Sequence, residues 1–192
     1  MLNIHEISFS YGKKQVLQNF SMQVKAGEIV AVMGASGCGK STLLQLIAGL
    51  QKPNVGKIEH DFGRISYAFQ EPRLFPWLTV EENLKAVLPK GRENRESAIL
   101  HALSIVELSD SKDLYPDSLS GGMKSRASLA RALVFGGDLF LLDEPFAALD
   151  RELCLRLGDR LKQEIKAQGA SAVLVTHHPE DAERIADRII LL

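Results

Sequence analysis

The stretch that most constrains the fold of this chain is a glycine-rich loop between an apolar run and a helix-like segment. It reads Gly34-Ala35-Ser36-Gly37-Cys38-Gly39-Lys40-Ser41-Thr42, between the apolar residues 29–33 and the helix-like residues 43–50. Such spacing lets the backbone curl so that successive N–H groups point at phosphate oxygens, and the dipole of the following helix adds positive potential. The alternative is an ordinary turn between a strand and a helix. The spacing and its flanks favour a P-loop that binds a nucleotide.

The polar residues that end this loop have the chemistry a bound nucleotide requires. Lys40 can reach the β- and γ-phosphates as a point charge, and the Ser41 hydroxyl is placed to ligate Mg²⁺. Thr42 lies next to them at the start of the helix. The sequence therefore predicts ATP and Mg²⁺ as ligands.

Composition excludes several other classes of protein. The chain has 192 residues, enough for one domain, and a formal net charge of −1, with no basic surplus for binding nucleic acid. Two cysteines do not make a disulfide framework and fit a reducing compartment. We expect no signal peptide at the N-terminus, and no apolar run approaches the ~18 residues of a membrane span. If the protein acts at a membrane, we expect it to do so through a partner protein.

The N-terminal region alternates between apolar and polar residues. Residues 2–9 and 16–24 both have this period of two, which predicts an antiparallel pair of strands around a turn at residues 12–14. Tyr11 ends the first strand, where its ring could stack on a flat base or pack in the core, and its position does not decide between them. Residues 53–56 predict a turn.

A second apolar strand, residues 64–69, ends at Gln70, where a polar amide is well placed for a ligand. In the segment that follows, two prolines bracket the large apolar residues Leu74 and Phe75, and Trp77 comes just after. This pattern fits either an exposed contact surface or a buried anchor for the loop. Thr79 with Glu82 then predicts a capped helix.

Residues 81–108 are helical in pattern, and we interpret the polar residues 90–96 as a solvated turn. Ser120, Gly121 and Gly122 then precede a helical pattern over residues 124–134. A Ser-Gly-Gly sequence before a helix predicts a second anion site, for the same reasons as the first.

An uninterrupted apolar run, residues 139–142, predicts a buried parallel strand that ends in Asp143 and Glu144. Carboxylates at this edge of an open α/β sheet lie where ligands bind. Asp143 fits a Mg²⁺ partner acting through water, and Glu144 fits the group that orients or deprotonates an attacking water, rather than a solvated acidic turn.

The rest of the chain continues the alternation of helix and strand. We predict helices over residues 151–168 and 179–186, and strands over 172–176 and 188–192. His177 and His178 follow the strand at 172–176. Because neighbouring residues of a strand point to opposite faces, the pair is a poor metal site, but one ring can face the phosphates.

Taken together, the chain resembles the ATP-binding subunits of ABC transporters over essentially its whole length. The matching segments are residues 34–42 (Walker A), Gln70 (Q-loop), 119–123 (signature), 139–144 (Walker B), 147–150 (D-loop) and His177 (switch histidine). In this resemblance Tyr11 takes the place of the aromatic ring that stacks on adenine. P-loop kinases and GTPases lack the Ser-Gly-Gly element, so the combination is specific.

The resemblance implies an α/β P-loop NTPase with a RecA-like core, an N-terminal antiparallel β-subdomain and an inserted helical subdomain. Residues 1–192 would form one domain, with the helical subdomain at about 72–134. ATP on one copy would be covered by Ser120, Gly121 and Gly122 of a second copy, with Asp150 in the D-loop. Gln70 would join Ser41 and Asp143 near Mg²⁺, and Glu144 and His177 would be catalytic.

The resemblance also implies partner proteins and a cellular location. We expect a subunit on the cytoplasmic side of the membrane that docks on a permease through residues near 72–84, with an extracytoplasmic solute-binding protein in the full system. The Pro-Trp-Leu-Thr-Val run and Met123 resemble the corresponding residues of bacterial importers of the nitrate, sulfonate, taurine and thiamine-precursor group. Met123 replaces the commoner glutamine, and we expect activity to survive. Ending at Leu192, the chain is expected to lack regulation by a C-terminal domain.

Two other hypotheses are weaker. Soluble ABC ATPases that act on DNA or ribosomes would be expected to show a long coiled-coil insertion or two cassettes, and the sequence has neither. A nucleotide-binding module without turnover would not need both Glu144 and His177. The transported solute cannot be read from the sequence.

Overall fold

The computed structural model describes residues 1–88 and 94–192, which form two sheets and the helices around them. The strands are β1 (Leu2–Tyr11), β2 (Lys14–Val24), β3 (Ile29–Met33), β4 (Val55–His60), β5 (Ile65–Ala68), β6 (Leu139–Asp143), β7 (Ser171–Thr176) and β8 (Arg188–Leu191). The helices are α1 (Lys40–Ile47), α2 (Val80–Val87), α3 (Arg95–Ile105), α4 (Gly121–Phe135), α5 (Arg151–Ala167) and α6 (Pro179–Ile185).

The central sheet is parallel, with strand order β5-β6-β7-β3-β8. Its middle strands are apolar at nearly every position because both faces are covered. Alternate residues enter two separate cores: Ile29, Phe140 and Leu174 pack with α2 to α6. Their neighbours, such as Val30, Leu141 and Val173, pack with α1 and the antiparallel sheet. The parallel strands predicted from their apolar runs are confirmed.

The second sheet is antiparallel, with order β2-β1-β4. Its hairpin of β1 and β2 was predicted, but the prediction of a turn over residues 53–56 is wrong at its end, since Val55 and Gly56 already belong to β4. This strand is exposed at almost every position, so it carries no apolar alternation to reveal it. Gly56, at φ +81°, lies so close to β1 that an added Cβ would be 2.4 Å from the carbonyl oxygen of His5.

Helices α2, α3 and α4 are inserted between β5 and β6. The predicted cap of α2 is confirmed: Glu82 N–H donates to Thr79 Oγ1 and Thr79 N–H to the Glu82 carboxylate. The continuous helical pattern over 81–108 is two helices. Of the turn predicted at 90–96, residues 90–93 lie outside the described residues, and the prediction is wrong at Arg95 and Glu96, which begin α3. Helices α1 and α4 begin earlier than their apolar patterns suggested, at Lys40 and Gly121. Among the residues described, no helix has the length and apolarity to cross a bilayer.

Candidate active site

The glycine-rich loop joins the carboxyl end of β3 to the first turn of α1. Gly39, the residue before the helix, has φ +109°, and an added Cβ would lie 2.7 Å from Val16 Cγ1. Only glycine fits this position, because a side chain would be strained and would collide with β2. The loop therefore leads directly into the amino end of α1, where the helix dipole favours an anion.

A cavity of about 280 Å³ opens over this loop. Its lining residues are Tyr11, Lys14, Val16, Ser36, Gly37, Gly39, Lys40, Ser41, Thr42, Gln70 and Glu144. Lys14 and Val16 were not anticipated as site residues, although Lys14 stands in the predicted turn close to Tyr11. Tyr11 is 48% exposed, rests edge-on against Phe9, and donates its hydroxyl to Gln45 Oε1 at 3.3 Å. The ring is thus at the mouth of the cavity and not in the core.

The remaining residues of the loop form its frame. Lys40 is 7% exposed and donates from Nζ to the carbonyl oxygens of Gly34 (2.8 Å) and Ala35 (3.1 Å). Cys38 N–H donates to the same Ala35 carbonyl, and the Cys38 side chain is half-buried. The Lys40 ammonium is therefore held over the loop, 4.0 Å from a Glu144 carboxylate oxygen.

Asp143, at the end of β6, is held by two hydroxyl groups. Ser41 Oγ donates to its Oδ1 at 2.9 Å and the Tyr67 hydroxyl to its Oδ2 at 3.4 Å. Burial raises the pKa of the Asp143 carboxyl, while the bond from Ser41 opposes that shift. Burial and the nearby Asp143 charge raise the pKa of Tyr67 far above its usual range. The paired Ser41 and Asp143 oxygens are the ligand type that Mg²⁺ prefers.

Glu144 follows at φ +48°, a left-handed conformation that is uncommon for this residue type. Its N–H donates to the Val175 carbonyl at 3.0 Å, and its Oε1 lies 2.9 Å from His177 Nδ1. Its other oxygen, Oε2, is buried and has no hydrogen-bond partner within the part of the chain that the structure describes. The arrangement leaves a carboxylate oxygen available to accept a proton beside the cavity.

The expectation that the two histidines point to opposite faces is wrong. Their ring centroids are 3.9 Å apart. Strand β7 ends at Thr176, so neither histidine has the alternating geometry of a strand. His177 is the one that meets Glu144.

Comparison with known proteins supports one family. The family model described as ABC transporter matches residues 17–147. The chain belongs to the ABC transporter family. It is 38% identical over 192 residues to the aliphatic sulfonates import ATP-binding protein SsuB 1 of Pseudomonas savastanoi pv. phaseolicola, covering 100% of this chain and 80% of that protein. With SsuB of Corynebacterium glutamicum it shares 42% over 189 residues, 95% of this chain and 76% of the relative.

A comparison with solved structures points to the same family as these relatives. The dimeric, post-hydrolysis structure of the ATP-binding cassette MJ0796 bound to ADP and Pi has a TM-score of 0.89 and 30% identity, and covers 100% of this chain and 94% of that one. The predicted P-loop NTPase fold and the likeness to the sulfonate and nitrate importer group are therefore confirmed. The chain is an ATP-binding, ATP-hydrolysing subunit of an ABC transporter.

The predicted residues of the signature and the D-loop do not line the cavity. Ser120 caps α4 and accepts the Met123 N–H at 3.2 Å, and Gly121 and Gly122 form the first turn. An added Cβ on Gly122 would lie 2.8 Å from the Ala148 carbonyl oxygen, so the signature packs closely on the D-loop. Asp150 caps α5 through the Leu153 N–H at 2.9 Å. Within one chain these residues form a separate surface.

Residues 72–79, named here the aromatic loop, link Gln70 to α2. Trp77 is 69% exposed and Phe75 39%, with ring centroids 5.6 Å apart, whereas Leu74 packs against the core. Leu74 therefore fits the alternative of a buried anchor, whereas Phe75 and Trp77 are exposed and their role as a contact surface stays a prediction. Asn83 and Arg131, whose side chains hold this loop, were missed, because a helical pattern of polar residues does not show which of them are buried.

Proposed function

We propose that this subunit energises the import of a small organic solute, with an aliphatic sulfonate as the first candidate because the similar proteins carry that name. The observation that supports turnover, rather than ATP binding alone, is Glu144 Oε2, which is buried beside the P-loop cavity and has no hydrogen-bond partner among residues 1–88 and 94–192. A buried carboxylate oxygen without a partner costs free energy, so a retained one suggests a function.

The P-loop and Tyr11 would bind ATP. The N–H groups of residues 34–42 and the amino end of α1 would bind the phosphates, and Tyr11, exposed at the cavity mouth, would stack on adenine. Lys40 would exchange its present bonds to the Gly34 and Ala35 carbonyls for bonds to phosphate oxygens. That exchange keeps the buried ammonium hydrogen-bonded in both states.

Ser41, Asp143 and Gln70 would hold Mg²⁺. The Ser41 hydroxyl and Asp143 carboxylate are already joined at 2.9 Å, and Gln70 lines the same cavity, so the oxygen donors present fit this ion. When bound, Mg²⁺ neutralises charge on the β- and γ-phosphates. Tyr67 would keep the Asp143 carboxylate in position through its hydroxyl.

Glu144 and His177 would carry the catalytic step. Glu144 would orient the attacking water and accept its proton at Oε2, while His177, bonded at Oε1, would fix the rotation of that carboxylate. His177 is half-exposed, so it could also contact the γ-phosphate.

A second copy of the chain would complete the site. Ser120, Gly121 and Gly122 form a helix amino end that lies outside their own chain's cavity, and this is a geometry suited to the phosphates of a partner's ATP. Asp150 lies in the segment against which Gly122 packs. The dimeric state of MJ0796 supports this proposal.

The aromatic loop, together with the start of α2 to residue 84, would dock on an integral membrane permease at the cytoplasmic face. Two large exposed rings on a proline-containing loop are typical of interface anchors. A solute-binding protein outside the membrane would deliver the solute to the permease, and no nucleic-acid partner is expected. Residues 1–192 would form one domain, with a helical subdomain at about 72–134, that carries both the nucleotide site and the docking surface for the permease.

The test is Glu144→Gln, with Glu183→Gln, an exposed glutamate on α6, as the matched control. We expect Glu144→Gln to bind ATP, to lower phosphate release by about 10²–10⁴-fold, and to accumulate an ATP-bound dimer on size exclusion. Glu183→Gln should behave as wild type. Phosphate release by Glu144→Gln close to the wild-type rate would refute the role of Glu144.

A further inference from the structure

The aromatic loop is fastened through its backbone by two side chains from two different helices. From α4, Arg131 donates Nη1 to the Arg73 carbonyl at 2.8 Å and Nη2 to the Pro72 carbonyl at 2.9 Å. From α2, the fully buried Asn83 holds the other end of the loop through Phe75, Leu78 and Thr79. The first part of the loop is therefore attached to α4 and the last part to α2.

Arg131 is a half-buried cation that binds neutral carbonyl groups. Across residues 1–88 and 94–192 no carboxylate lies within ion-pair distance of its guanidinium, and its partners are the two carbonyls. Burial lowers the pKa of this guanidinium. The planar fork of arginine reaches two adjacent carbonyls at once, which the single ammonium of lysine does not reproduce. These two directional bonds from one planar group tie Pro72 and Arg73 to α4.

Helix α4 begins at the signature, and Arg131 lies about three turns further along it. Any tilt of α4 that accompanies contact between its amino end and nucleotide would therefore displace Pro72 and Arg73. We infer that Arg131 is a positioning residue that transmits movement of α4 to the aromatic loop. This inference rests on the proposed function, in which α4 senses ATP and the aromatic loop docks on the permease.

A second physical route could serve the same loop. The Arg73 guanidinium lies 4.3 Å from the centroid of the Phe69 ring, which stacks on Tyr67 at 3.9 Å. The Tyr67 hydroxyl in turn donates to Asp143, which is bonded to Ser41 of the cavity lining. This route runs along the end of β5 and does not involve Arg131. The two routes make opposite predictions for an Arg131 variant.

The experiment uses the full chain and its single tryptophan, Trp77, which lies in the aromatic loop. Acrylamide quenching of Trp77 is measured with and without a nonhydrolysable ATP analogue plus Mg²⁺, and calorimetry measures binding of the analogue independently. We expect the analogue to shift the quenching constant of the wild type. In Arg131→Met we expect that shift to fall to roughly a third or less, with affinity for the analogue within about twofold of wild type.

The matched control is Arg126→Met. Arg126 lies on the same helix and also donates to two carbonyls, those of Val106 and Glu107, but not to the aromatic loop. It should lose thermal stability to a similar degree and keep the full shift. If Arg131→Met does not fold by circular dichroism, Arg131→Lys replaces it, and a shift of about half the wild-type value is expected.

Three results would overturn the inference. An undiminished shift in the Arg131 variant would assign coupling to the β5 route. No shift in a wild type that binds the analogue by calorimetry and dimerises with it on size exclusion would mean that the loop does not sense nucleotide, while leaving the ATPase assignment intact. A wild type that does not bind the analogue would overturn the proposed function as well.

Discussion

Replacing Asn83 by leucine should destabilise the protein by an amount that its hydrogen bonds define. Asn83 Oδ1 accepts the Phe75 N–H at 2.8 Å, and its Nδ2 donates to the carbonyls of Phe75, Leu78 and Thr79 at 2.9–3.1 Å. Leucine has the same number and branching of non-hydrogen side-chain atoms, so it leaves no cavity, and its bulkier methyl groups can only add to the cost. The change should therefore report mainly the polar groups left without partners.

Two of these backbone groups keep a partner in the variant. The Phe75 carbonyl also accepts the Leu78 N–H, and the Thr79 carbonyl also accepts the N–H of residue 83. The Phe75 N–H and the Leu78 carbonyl have no second partner among the described residues. At about 1–3 kcal/mol for each unsatisfied group, and at the lower end beside an exposed loop, the expected loss is about 2–4 kcal/mol. For a chain of this length that corresponds to a fall in Tm of roughly 4–16 °C.

Urea and thermal unfolding followed by circular dichroism measure this loss, and Trp77 emission reports the loop itself. The matched control is Asn54→Leu, since the exposed Asn54 accepts one backbone N–H, that of Ser10, at 2.7 Å. Water can replace that partner, so the control should lose less than about 1 kcal/mol. Equal losses for Asn83→Leu and Asn54→Leu, or a loss below about 1 kcal/mol for the former, would refute the reasoning.

Three further outcomes are expected. Maleimide should label the half-buried Cys38 in the P-loop, and MgATP should slow that labelling, whereas Cys154, whose pKa is raised by burial, should react only on unfolding. Labelling of Cys38 at the same rate with and without MgATP would contradict its placement. Burial raises the pKa of Asp143, so the protein loses stability as the pH rises through that pKa. Asp143→Asn should therefore raise the nucleotide-free Tm at pH 7 but not near pH 3, and equal pH profiles of Tm for variant and wild type would disprove this. Phe75→Ala with Trp77→Ala should keep the basal ATPase rate and lose co-purification with the permease, and normal assembly would place docking elsewhere.

The sequence predicts the parts of this fold that depend on local pattern. Buried parallel strands such as β6 have uninterrupted apolar runs, and the P-loop has a spacing that few other structures require. Strand β4 was missed because its residues are exposed, so its pairing with β1 depends on backbone hydrogen bonds that leave no trace in hydropathy. The end of β7 at Thr176 was predicted, but the direction of His177 and His178 was missed because strand alternation was applied to two residues that lie beyond the strand.

Polar residues that act at a distance in the sequence are the hardest to predict. Tyr67 lies in an apolar strand and reads as a core residue, yet its hydroxyl reaches Asp143 across the sheet edge. Asn83 and Arg131 lie in helices whose polar positions usually face water. Their partners are carbonyls of a loop that only the packing of α2 and α4 brings to them. The pattern of residue types along the sequence does not show which distant segments are in contact.

The nucleotide cavity concentrates charge in a way that stability alone would not favour. Lys40, Asp143 and Glu144 are each less than a tenth exposed, and the Lys40 ammonium lies 4.0 Å from Glu144 Oε1. Burying charged groups costs free energy even where they are hydrogen-bonded, as these three are. Glu144 would add to that cost once ATP is bound, because its carboxylate repels the γ-phosphate. The carboxylate proposed to accept the proton would therefore also weaken the state that precedes hydrolysis. This is why Glu144→Gln should hold the ATP-bound dimer more tightly while it hydrolyses ATP more slowly.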